Sequence, residues 1–76
     1  MMQNERRRAA MLAVIAVIQR QTGLSNRAIG LEIMHDPRWV YDLEAGRAPR
    51  GDTFLRQMSQ LIELVIASDR GRGQTP

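Results

Sequence analysis

The spacing of helix start and stop signals between Gly23 and Gly46 constrains this chain most. Ser25 is a strong N-cap residue, because its hydroxyl can accept a hydrogen bond from a free backbone N–H in the first turn. Leu24 just before it and Ile29 at the fourth helical position suit a hydrophobic staple over the helix entrance. Asp36 can cap a second helix, Pro37 suits a first turn that needs no backbone donor, and Gly46 stands where a helix closes in the left-handed conformation. Two caps eleven positions apart leave room for one short helix, a few residues of turn and a second helix over about 37–45. That outline is a helix-turn-helix.

The rest of the chain must brace those two helices with little material. Its 76 residues fit one domain with one modest core, close to the size at which a fold without covalent staples is marginally stable. Function is therefore expected on a surface. Absence of cysteine, with only His35 as a nitrogen ligand, excludes disulfides, thiolate catalysis and zinc fingers. There are no paired carboxylates in a pocket-forming context, no nucleophile elbow and no phosphate-binding glycine loop, so neither an enzyme nor a cofactor is expected. The longest apolar run, Ala9 to Ile18, falls short of the roughly 20 residues that span a bilayer. It follows Arg6-Arg7-Arg8, but it is alanine-rich and lacks a small-residue cleavage site, and a cytoplasmic protein is expected.

From Glu5 to about Gln21 the pattern is helical, with Met11, Leu12, Val14, Ile15, Val17 and Ile18 spread nearly all round. One side of this helix is a candidate surface for a second subunit. Gly23 ends it, and the next helix, from Ser25 to about Ile33, turns Ala28, Ile29 and Ile33 inward. Gly30 costs that helix up to ~1 kcal/mol relative to alanine, which suggests a close neighbour. On the helix over 37–45, Val40 and Leu43 share one side while Arg38, Tyr41, Asp42 and Ala45 fall opposite at about 100° per residue, with Trp39 half-buried on the flank. A basic loop follows, Arg47-Ala48-Pro49-Arg50-Gly51. Asp52 or Thr53 then caps a last helix whose Phe54, Leu55, Met58, Leu61, Ile62, Val65 and Ile66 recur at threes and fours. Residues 1–68 are read as one domain, and 69–76, rich in glycine and polar groups, as a disordered tail.

With the caps placed, Leu24 to Thr53 resembles the helix-turn-helix of the lambda repressor and Cro superfamily, the XRE type, in a register without gaps. The residues that carry the resemblance are Leu24-Ser25-Asn26, Gly30, Val40, Leu43-Glu44-Ala45-Gly46-Arg47 and Thr53. The resemblance implies an all-α, compact domain of four or five helices, lambda-repressor-like, whose second short helix enters the major groove of duplex DNA. It departs from the pattern at three places. Met34 occupies the usual turn glycine, so either it accepts a left-handed conformation at a cost of ~1 kcal/mol or more, or the turn is shaped differently. His35 replaces an aliphatic residue and is expected at the surface. Gln19 holds the place of an arginine that usually pairs with the equivalent of Glu44, so Glu44 is expected to bond Gln19 or Arg20.

On that resemblance, Arg38, Tyr41 and Asp42 are the candidate base contacts. Arg38 is the first choice, as a bidentate partner of guanine; Asp42 can accept from a cytosine amino group or orient Arg38 one turn away. Asn26 and Arg27 at a helix N-terminus, with Arg47 and Arg50 in the following loop, are the candidate phosphate contacts. The Arg6-Arg7-Arg8 cluster is expected to be a solvated, mobile end. All eleven cationic residues are arginine and the net charge is +3, which suits phosphate and guanine but equally reflects a genome rich in arginine codons. A small module gains specificity from two copies, so a homodimer is expected, through the first helix or through Leu61, Leu64, Val65 and Ile66 of the last. The expected function is a sequence-specific transcriptional regulator, a small repressor of the phage type. The alternative is a protein-interaction module or antitoxin whose apolar helices hold a partner protein.

Overall fold

The computed structural model describes the backbone of residues 2–73 and the side chains of residues 5–69. All regular structure among the described residues is helical: α1 (Met2–Thr22), α2 (Asn26–Met34), α3 (Trp39–Glu44) and α4 (Gly51–Gly73). Two long helices, α1 and α4, pack mainly on each other, and the short pair α2 and α3 packs mainly on itself and is braced by both. Met11, Ile15 and Ile18 of α1, Ile29 and Ile33 of α2, Trp39, Val40 and Leu43 of α3 and Leu61 of α4 form one buried core. Every helix thus contributes to a single apolar cluster, which is what a chain this short needs to stay folded.

The helix ends are set by local chemistry. Gly23, at φ 74°, closes α1 and donates its N–H to the Gln19 carbonyl at 2.8 Å. Ser25 caps α2 as its sequence indicates, its Oγ accepting from the Ala28 N–H at 3.1 Å, and Leu24 packs against the core cluster to which Ile29 belongs. Left-handed geometry at the end of α2 falls on His35, at φ 53°, not on Met34. One residue of further helix moves the reversal on by one, and His35 donates its N–H to the carbonyls of Gly30 and Leu31. Gly30 is buried, and a Cβ built on it would overlap the carbonyl oxygen of Asp36. The chain reverses directly over this glycine, which accounts for a residue that weakens the helix.

Besides the start of α1, at Met2 rather than Glu5, three boundaries differ from the pattern-based expectation. α3 begins at Trp39, because Asp36 holds Pro37 and Arg38 in a turn: its Oδ1 accepts from the Arg38 N–H at 2.9 Å and its carbonyl from the Trp39 N–H at 3.2 Å. α4 begins at Gly51, with the Phe54 N–H bonding the Arg50 carbonyl at 2.6 Å, so Asp52 and Thr53 lie inside its first turn rather than capping it. The same helix passes Ser68 and runs to Gly73, since adding residues to an established helix is far easier than starting one. The expected disordered tail is therefore helical through Gly73, and residues 74–76 lie outside the described residues.

The apolar surface of α4 divides in two. Leu61 is fully buried, and Phe54, Met58, Leu64 and Val65 pack partly against the core, whereas Leu55, Ile62 and Ile66 point outward. Leu61 consequently cannot serve an interface between subunits. α1 instead buries Met11, Ile15 and Ile18 and shows Ala9, Ala13 and Ala16, with the charged Glu5, Arg6 and Arg20, to solvent. No helix among the described residues is long and apolar enough to cross a membrane.

Candidate nucleic-acid interface

α3 is short, so its orientation depends on what holds it. Trp39, Val40 and Leu43 are buried and fix its inner side, leaving Arg38, Tyr41, Glu44 and Ala45 exposed and Asp42 half-buried. Tyr41 keeps 52% of its surface accessible. At its C-terminal end α3 closes in a Schellman motif: Gly46, at φ 117°, donates its N–H to Leu43, and Arg47 donates its own to the Asp42 carbonyl at 3.0 Å.

An arginine from outside the pair completes the helix end. Arg8 of α1 donates from Nη1 to the Leu43 carbonyl at 3.0 Å and to the Glu44 carbonyl at 3.5 Å. Its Nη2 and Nε are held by Glu5 at 3.0 and 3.1 Å. The guanidinium thus meets the carbonyls at the negative end of α3, where positive charge is favourable. Glu5 responds electrostatically: the hydrogen bond and charge of Arg8 hold its carboxyl below the ordinary value of 4.5. Arg7 lies over the Phe54 ring, 6.0 Å from its centroid. The expectation of a solvated arginine cluster is therefore corrected for Arg7 and Arg8. Sequence pattern alone missed Arg8 because its partners are backbone carbonyls 35 positions away.

Asn26 has a different setting from the other candidates. It accepts from Gln19 Nε2 at 2.6 Å and donates to both Glu44 carboxylate oxygens at 3.4 Å. Neither of the two partners expected for Glu44 reaches it directly; Gln19 is linked to it through Asn26, which ties α1, α2 and α3 together. Arg27, in the first turn of α2, is exposed.

Asp42 pairs with Arg47, Oδ2 to Nη1 at 3.3 Å, and not with Arg38. The Arg47 side chain nevertheless remains 78% accessible, so the pair is a surface contact of small worth. Arg38, Arg47 and Arg50 are all exposed along α3 and the loop that leaves it. Carboxylates accompany them, but each is occupied within the fold: Asp36 on the Arg38 backbone, Asp42 on Arg47, and Glu44 on Asn26. What the surface offers is therefore a set of exposed guanidinium donors around a short helix, beside the carboxylates of Asp36 and Glu44, which are exposed and keep their charge because their partners are neutral. No cluster of side chains suited to holding a metal ion occurs among the described residues. Comparison of the chain with protein-family models, with curated proteins and with solved structures gives no match.

Proposed function

We propose that this chain binds duplex DNA sequence-specifically as a homodimer and regulates transcription, as a small repressor of the phage type, with α2, its turn and α3 acting as a helix-turn-helix similar to that of the lambda repressor and Cro superfamily. The observation that supports it best is the division of α3 and the turn that enters it: Trp39, Val40 and Leu43 bury the inner side of the helix, while Tyr41 on the helix and Arg38 in the preceding turn stand exposed. In this reading Arg38 meets a guanine edge, Tyr41 a thymine methyl or a phosphate, and Asp42 holds Arg47 or accepts from a cytosine amino group. Arg27, Arg47 and Arg50 meet phosphates, and Asn26, already bonded to Gln19 and Glu44, contributes mainly by holding the helices in register.

The test is titration of duplex DNA at two salt concentrations. Three arginines on each of two subunits neutralise six phosphates, for a slope of log K on log salt of about −5. Selection from a random duplex pool should return two half-sites about 34 Å, one helical turn, apart. Arg38→Ala should cost roughly 1–3 kcal/mol at one base position and relax the preference there, whereas Arg47→Ala should weaken all sequences alike. Binding that is insensitive to salt sinks the reading.

A second reading rests on the exposed Leu55, Ile62 and Ile66 of α4: an interaction module, or an antitoxin that holds its partner there. Salt separates the two, because an apolar contact weakens little as ionic strength rises.

A further inference from the structure

We propose that two copies of this chain pair through α4, antiparallel about a two-fold axis, with Leu55, Ile62 and Ile66 of each copy at the contact. The pairing deepens the homodimer reading above and rests on it for its purpose, though not for its geometry. These side chains keep 66%, 46% and 47% of their surface exposed. At about 100° per residue they fall in one row with Ser59 between them, and the row is about 16 Å long at 1.5 Å per residue. An apolar row of this kind is a poor surface for nucleic acid, and among the described residues of the two long helices only α4 presents one, since the outward side of α1 carries alanines and charged groups.

Charge selects a second copy as the occupant. Arg56 and Glu63 lie along one flank of the row, both exposed, and neither has an ion-pair partner among the described residues. With the two-fold axis near Gln60 and Leu61, Leu55 meets the partner's Ile66 and the small Ser59 meets the partner's Ile62, so the helices can approach closely. A two-fold axis perpendicular to both helices keeps matching flanks together. Arg56 then lies about 3 Å along the axis, two residues of helical rise, from the level of the partner's Glu63. The opposite pair forms again on the other half. Parallel pairing would carry this flank of the two copies to opposite sides of the contact, where Arg56 and Glu63 cannot meet, so the charges complement each other in the antiparallel direction only.

Sedimentation equilibrium of the full chain, without DNA, tests this. A concentration-dependent dimer is expected. Ile62→Asp should leave the helical circular dichroism unchanged and abolish the dimer. Arg56→Glu and Glu63→Arg should each weaken it about tenfold, and the R56E/E63R double variant should return to within about threefold of the original affinity, which corresponds to recovery of most of the ~1.4 kcal/mol lost by each single change. A monomer at every concentration, a dimer indifferent to Ile62→Asp, or a double variant that does not recover would overturn the pairing. The two readings fail separately: a dimer of this kind that ignores DNA sinks the function, and a monomer that binds DNA sinks the pairing.

Discussion

Gly30 and Gln57 show how single positions trade intrinsic preference against their surroundings. Alanine is the better helix former by up to ~1 kcal/mol, yet a methyl group at position 30 would collide with the backbone of Asp36. Gly30→Ala is therefore expected to lower stability by about 1–3 kcal/mol, the range for overpacking, in urea unfolding. Gln57 is the opposite case: it is 5% exposed, its Nε2 donates to Met34 Sδ at 3.3 Å, and its Oε1 has no hydrogen-bond partner among the described residues. Leaving a buried acceptor unpaired costs about 1–3 kcal/mol. Gln57→Met should raise the unfolding midpoint, by about 1 kcal/mol in stability. The close approach at Gly30 is legible in the amino-acid order itself, because a glycine inside a helix needs a reason. The burial of Gln57 is not, since it depends on where α2 falls against α4.

At the scale of elements, α4 is the clearest case of a pattern that periodicity describes but does not resolve. Its sequence marks a broad apolar side, and only packing decides that Leu61 is buried while Ile62 is bare. Leu61→Ala should cost about 2–5 kcal/mol through loss of burial and the cavity left behind. Ile62→Ala should stay within about 0.5 kcal/mol in the monomer, so unfolding measured on the two variants at low concentration reads the two faces separately. The end of α3 depends on a contact between elements. Arg8→Met is expected to weaken binding to every DNA sequence alike by loosening α3, while the salt slope stays within less than one phosphate contact, roughly 0.9, of its original value. Because Arg8 depresses the Glu5 carboxyl, the contribution of this pair is present above the ordinary glutamate value of 4.5. It fades as acid brings the pH down through the lower value of the folded state. Acid titration of Arg8→Met should show a smaller loss of stability over that window.

For the whole molecule, the number of helices, their order and most of the core follow from caps and apolar spacing. Those signals are local: Ser25 carries its own acceptor for the Ala28 N–H, Gly23 and Gly46 supply the positive φ that ends a helix, and Ile29, Val40 and Leu43 recur on the sides that become buried. The candidate surface was legible to the same degree, because the outward side of α3 is what remains once Val40 and Leu43 turn in. Contacts between residues distant along the chain were not. The bond from Arg8 to the end of α3, the bridge from Gln19 through Asn26 to Glu44, the pairing of Asp42 with Arg47 rather than Arg38, and the split face of α4 are all settled by how the helices meet. By itself the sequence determined where helices start, stop and turn greasy, since these depend on neighbours a few residues apart. Tertiary structure alone decided which polar groups find partners and which aliphatic side chains stay wet, because those outcomes depend on the positions of whole helices in space.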